Sequence, residues 1–287
     1  MYIRNLVENT CIRYGLQGEH GLSFYIETAG HTVLFDTGAS EKFWENARRM
    51  GIRLENVDTV ILSHGHNDHG GGLAFFLERN TKAKVYVHKN AFRKHYSDLR
   101  KESGATLPGI SECADISLDA SLMDHERVIL VDKPMYAIDN ELMLISGIIP
   151  LRLQPDTCRR LYEGDGRELN YDTFTHEQHL IITEGSRHAL FCGCSHAGIV
   201  NILENFRENI GTAPDLVVGG FHLSNPRMGT MADGRLMEKI VAELMRYEDC
   251  RYYTCHCTGK QAYEWLRARM GDQIQYVGTG DSVTTGW

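Results

Sequence analysis

ILSHGHNDHGGG, residues 61–72, sets His64, His66, Asp68 and His69 within six positions, behind an apolar run and ahead of three glycines. A lone histidine at a strand end is ordinarily a hydrogen-bonded structural residue. Three imidazoles and a carboxylate this close together are a poor choice for a core, because each would need its own buried partner. They suit a metal, since imidazole and carboxylate ligate Zn²⁺ and its transition-metal neighbours. Alternate residues of an extended chain face one side, so His64 and His66 form one pair, while Asp68 and His69 turn toward a second position. A catalytic site takes about three protein ligands per ion and keeps a position open. The remaining ligands must therefore come from elsewhere in the chain.

Outward from this loop, apolar spacing reads as strand, loop and helix. VDTVIL (57–62) precedes the histidines, LAFFLE (73–78) follows them, and AKVYVH (83–88) completes a βαβ rhythm. Upstream, strands are expected at about 2–7, 22–28 and 32–35, followed by a helix with Ser40 as its candidate N-cap and Gly51 at its end. Between about 90 and 175 the pattern weakens to short apolar pieces such as RVILVD (127–132) and ELMLIS (141–146), which predicts an inserted or elaborated region with a few strands. Regularity returns with strands at 179–184, 188–193, 215–220, 251–255 and 274–278, with helices between the later ones. The two halves share a rhythm of strands first, then strand and helix in alternation.

Three later strand ends supply candidate ligands: FCGCSHAG (Cys194, His196), VVGGFHLS (His222) and YTCHCTG (His256). In open α/β sheets sites form beyond the strand ends, so these loops can converge on the first cluster. His222 reads either as a ligand or as a group that touches substrate. Cys194 reads as a thiolate ligand or a bridge between ions. Cys192, Cys255 and Cys257 read as small buried residues flanking the site, since a separate Cys₄ site ordinarily uses wider spacing within each pair than Cys-x-Cys. Asp36, in VLFDTGAS, could orient a ligating histidine from behind or form an Asx turn.

Composition narrows the classes. With 42% hydrophobic and 24% charged residues, a 287-residue chain can bury a sizeable core. One domain spanning 1–287 is the expectation. The net charge of −8, with no Lys/Arg run longer than a pair, argues against nucleic acid or an anionic membrane as partner. The N-terminus carries no leader pattern and no 18-residue apolar run occurs, so a cytoplasmic location is expected. Eight cysteines in this pattern fit reduced thiols better than a disulfide framework.

H-x-H-x-D-H at 64–69 and LFDTG at 34–38 resemble the metallo-β-lactamase superfamily. The ordered motifs ENT, EHGLSFYIET, LFDTG, SHGHNDHGGG, GCSHAGIVN, GGFHL and CHCTG are similar to its subfamily around an archaeal 7,8-dihydropterin-6-methyl-4-(β-D-ribofuranosyl)-aminobenzene-5′-phosphate synthase. The resemblance implies an αββα sandwich with a two-metal site at one edge of the sheets. His64 and His66 would serve one ion, and Asp68 and His69 the other, with His256 in the last histidine position. Cys194 stands where many relatives carry a bridging Asp. His196 is the expected replacement for a histidine that relatives draw from a preceding loop, with His176 or His179 as alternatives.

From this follow two divalent ions, Zn²⁺ foremost with Fe or Mn as alternatives, and hydrolysis of an ester, amide or phosphoester in a small anionic molecule. Asp68 would orient the attacking water, and His222 would hold the substrate or protonate a leaving group. The rival readings are a transferase that condenses a dihydropterin diphosphate with an aromatic amine, and a sensor or redox protein without turnover. Diiron redox relatives carry an acidic residue where His66 stands, which argues against the last. A homo-oligomer is compatible with all three.

Overall fold

The computed structural model describes residues 1–101 and 106–286. Two seven-stranded sheets form its centre. The first runs in spatial order Ser282–Thr284, Tyr2–Val7, Ser23–Glu27, Thr32–Phe35, Thr59–Ile61, Lys84–His88 and Val128–Val131. The second runs Ile274–Tyr276, Arg251–Thr254, Leu216–Gly219, Arg187–Phe191, Gln178–Glu184, Leu142–Ser146 and Met135–Ala137. Each sheet is antiparallel through its hairpins and parallel through its later strands. The shared rhythm read from the two halves is thus a shared topology.

Side-chain alternation sorts the layers. Leu180 and Ile182 face the space between the sheets, with Phe24, Phe35, Phe191 and Val218, whereas Ile181 turns outward among helical residues. Helices Ile199–Ile210, Gly234–Leu244 and Lys260–Met270 cover that outer face through Phe206, Ile240 and Leu266. Helices Lys42–Arg49 and Leu73–Arg79 cover the first sheet through Phe43, Ala47 and Phe76. The order is helix, sheet, sheet, helix, the αββα sandwich. Among the described residues no helix is long and apolar enough to cross a membrane.

Two local expectations are refined. The first helix begins at Lys42 with Glu41 as its uncapped N-cap residue, and Ser40 donates its hydroxyl to Glu19 instead. Within 90–175, strands Lys94–Asp98, Cys113–Asp115, Leu161–Gly164 and Leu169–Tyr171 make a separate four-stranded sheet, but the chain between them returns to the edges of both main sheets. Apolar pieces of four or five residues look alike whether they extend a large sheet or decorate it.

Candidate metal centre

The site lies beyond the C-terminal ends of parallel strands. Strand Thr59–Ile61 leads into His64 and His66, and a one-turn helix, Asn67–Gly70, carries Asp68 and His69. Strand Arg187–Phe191 leads to Cys194 and His196, strand Leu216–Gly219 to His222, and strand Arg251–Thr254 to His256. Asp36, Ser195, His222 and His256 all have positive φ, between 48° and 61°. Left-handed backbone at non-glycine residues costs about 1–3 kcal/mol each and persists where surroundings over-determine it. Here it turns side chains back toward one point.

Two triads of ligand atoms result. Nε2 of His64 and Nδ1 of His66 are 3.0 Å apart, and His196 joins them with all three ligand atoms within 4.8 Å of one another. In the second triad, His69 Nε2 and His256 Nε2 are 3.1 Å apart, with Asp68 Oδ2 at 3.6 Å and 3.3 Å from them. Cys194 Sγ lies between the triads, 3.2 Å from His69 Nε2 and within 4.8 Å of the ligand atoms of both His64 and His69. His222 sits at the margin, grouped with Cys194 and Cys257 and also with Cys158 and His196.

The outer ring nitrogens decide whether a cation fits. His69 Nδ1–H donates to Asp36 Oδ2 at 2.7 Å, and His256 Nδ1–H to Asn9 Oδ1 at 2.7 Å. Ser63 Oγ donates to Asp36 Oδ2 at 2.7 Å and can then accept from His64 Nδ1–H at 2.8 Å. In each ring the inward Nε2 is thereby left bare. His196 faces Cys158 Sγ with Nδ1 at 3.8 Å, and its buried Nε2 has no partner. Bare lone pairs facing each other at about 3 Å beside a carboxylate repel, and a cation between them removes the repulsion. The residues present fit a metal.

Protonation follows the same logic. Burial, then the neighbouring imidazoles, push His64 well below its ordinary value, so it stays neutral. Burial lowers His196 likewise. For Asp68 burial works upward, but His69, His256 and His20 outweigh it and hold the carboxyl well below the usual range. His69 is pulled down by burial yet raised to about 9 by Asp68 and Asp36. Where no cation sits, the site thus draws a proton to the same position. Burial raises Cys257, but the Cys194 thiol and the His222 side chain hold it low, and the His222 backbone N–H also donates to its sulfur at 3.3 Å.

Among the other candidates, His176 lies outside both triads and groups instead with His66, His95 and Asp172, their ligand atoms all within 4.8 Å of one another. Its Nδ1 accepts the Gly65 N–H at 2.9 Å, so its Nε2 carries the proton and donates to Asp172 at 3.1 Å. His179 lies on strand Gln178–Glu184 with Nδ1 unpartnered and Nε2 3.7 Å from Glu177. Cys192 and Cys255 belong to apolar layers on opposite faces of the second sheet, which keeps them from a shared Cys₄ site. Cys257, read as a flanking residue, has its sulfur within 4.8 Å of Cys194 and His222 instead. Ser63, Asn9, His95 and Asp172 were not singled out by sequence. Two of them lay inside quoted motifs, Asn9 in ENT and Ser63 at the head of SHGHNDHGGG, whereas His95 and Asp172 lay in none.

The cluster opens into a cleft of about 590 Å³ whose walls include His20, Asp68, His196, His222, Arg160 and Arg227. The inserted sheet and the segment 224–227 form its outer walls.

Comparison with known proteins agrees with this architecture. A sequence profile of the metallo-beta-lactamase superfamily matches residues 16–223, and the chain belongs to that superfamily, whose members are mostly enzymes. It is 29% identical over 265 residues to the Methanocaldococcus jannaschii protein MJ0448, covering 91% of each chain. It is 25% identical over 298 residues to 7,8-dihydropterin-6-methyl-4-(beta-D-ribofuranosyl)-aminobenzene-5′-phosphate synthase of the same organism, covering 92% of this chain and 90% of that one. Among solved structures, Tm1679, a metal-dependent hydrolase of the beta-lactamase superfamily, superposes with a TM-score of 0.80 at 27% identity over 99% of both chains.

Proposed function

We propose that this protein is a metal-dependent hydrolase that uses two divalent cations, Zn²⁺ foremost, against an ester, amide or phosphoester of a small anionic molecule. The observation that carries the reading is the pair of triads, His64/His66/His196 and Asp68/His69/His256, with Cys194 between them and a cleft in front. When bound, such cations lower the pKa of water from about 15.7 toward about 7 and polarise a carbonyl or phosphoryl oxygen.

The chain's own residues do the rest. Asp68, ionised and only 15% exposed, orients the attacking water. His222 lines the cleft with an unpartnered Nδ1, suited to hold the substrate or protonate a leaving group. Arg160 and Arg227 bring positive charge to the walls of an otherwise acidic protein, which favours an anionic ligand. The net charge of −8 argues against nucleic acid and anionic membranes as partners. One domain, a cytoplasmic location and a possible homo-oligomer complete the proposal.

A second reading, transfer, is favoured by the similarity to the synthase along nearly the whole chain. There the same cations and arginines would hold a diphosphate leaving group. Reaction in ¹⁸O-labelled water separates the two, since hydrolysis puts solvent oxygen in the product and condensation yields a joined product. Asp68→Ala is expected to lower turnover at least about 100-fold and to reduce bound metal. Full turnover in metal-depleted protein would overturn both readings.

A further inference from the structure

Three of the ligating rings have their outer nitrogen hydrogen-bonded: His64 to Ser63, His69 to Asp36 and His256 to Asn9. His66 differs. It turns Nδ1 toward His64, and its Nε2 is buried without a hydrogen-bond partner. The carboxylate that faces this nitrogen is Asp172, with Oδ2 3.8 Å away and a side chain fully buried. Asp172 is itself held firmly. Its Oδ1 accepts the Phe174 N–H at 2.7 Å, and its Oδ2 accepts from His95 Nδ1 and His176 Nε2, both at 3.1 Å.

Asp172 and one of these partners, His95, are placed by the inserted sheet. His95 lies on strand Lys94–Asp98, and Asp172 directly follows strand Leu169–Tyr171. The same sheet is tied to the histidine loop by an isolated bridge between His66 and Ser117 and by Asn67 N–H donating to the Ile116 carbonyl at 2.8 Å. His176 adds a tie from the other side, accepting the Gly65 N–H while donating to Asp172. Burying a carboxylate against an imidazole is costly unless a ring proton is directed at it. A His66 that ligates through Nδ1 must carry its proton on Nε2, the atom that faces Asp172.

We propose that Asp172 is a positioning residue for His66, accepting its Nε2 proton, holding the tautomer that leaves Nδ1 free, and so coupling the inserted sheet to the first metal position. This rests on the reading above that the cluster holds metal. Carboxylate partners of ligating histidines are typically worth about 10–100-fold in metal affinity.

The test is a competition titration of full-length protein with Zn²⁺ against a chelating indicator, resolving two binding classes. Asp172→Asn is expected to weaken one class about 10–100-fold, the same class that His196→Ala weakens, and to leave the other unchanged, with Asp172→Glu recovering part of the loss. Equal loss in both classes, or none, overturns the proposal. A measurement on the unaltered protein keeps the test open if the variant fails to fold: ¹⁵N NMR of the zinc-loaded protein should find the His66 proton on Nε2, and a proton on Nδ1 overturns the proposal. Wild-type protein that binds no zinc overturns the metal reading itself, a result distinct from either.

Discussion

At Asp36 the backbone turns left-handed, with φ 61°, and sends a carboxylate back under the histidine loop. There it accepts from the Ser63 N–H, the Ser63 hydroxyl and the His69 ring, each at 2.7 Å. One side chain thereby reaches a ring of each triad, His69 directly and His64 through Ser63. LFDTG left two roles open for this residue, an Asx turn or a histidine's partner, because the distance that separates them is tertiary. Gly193 is a second case. A Cβ there would stand 2.1 Å from Ser63 Oγ and 3.1 Å from His64 Nδ1, so the glycine between the two cysteines makes room for the relay. Gly193→Ala is expected to destabilise the protein by about 1–3 kcal/mol in urea unfolding and to weaken zinc binding in the same preparation. Unchanged zinc affinity would show that the Ser63–His64 contact does not orient the ligand.

Between elements, the clearest device is His31 at the turn before strand Thr32–Phe35. Its Nδ1 lies 3.0 Å from Asp58 and its Nε2 2.6 Å from Asp139, in the turn before strand Leu142–Ser146, so it links one main sheet to the other. Burial lowers its pKa, but the two carboxylates outweigh that and raise it above the ordinary 6.5. A raised folded value contributes stability that is fully present below the unfolded pKa and is lost as pH rises through the folded one. The stability gap between wild type and His31→Gln, read from urea midpoints, should therefore be widest below about pH 6 and narrow at alkaline pH. A gap that stays constant or widens would remove the charge from the explanation. The short gap between the strands expected at 22–28 and 32–35 placed His31 next to a turn, and the clamp escaped sequence because Asp139 belongs to the other sheet.

Across the whole molecule, the sandwich rests on the apolar layer between the sheets. Phe191 and Phe35, one from each sheet, are fully buried with ring centroids 5.9 Å apart. Phe191→Ala is expected to cost about 3–5 kcal/mol, measured as a fall in the denaturant midpoint. A loss under about 1 kcal/mol would mean that the layer collapses to fill the gap. This core reaches the site through the chain itself, because Phe191 ends the strand that leads to Cys194 and His196.

Sequence by itself determined the strand-and-helix rhythm shared by the two halves, the position of H-x-H-x-D-H behind a strand, and the three later strand ends from which further ligands could come, while the αββα layering was what the resemblance to the superfamily implied. These are legible because periodicity reports which face a residue turns to the core, and because four ligand-type residues in six positions are locally dense. Tertiary structure alone decided that His196 completes the first triad while His176 turns to Asp172, that Cys194 lies between the triads, and that Asn9, Ser63 and Asp172 stand behind the rings. The physical reason is reach. A hydrogen bond extends about 3 Å, and which residues come that close depends on how two sheets pack loops from opposite ends of the chain.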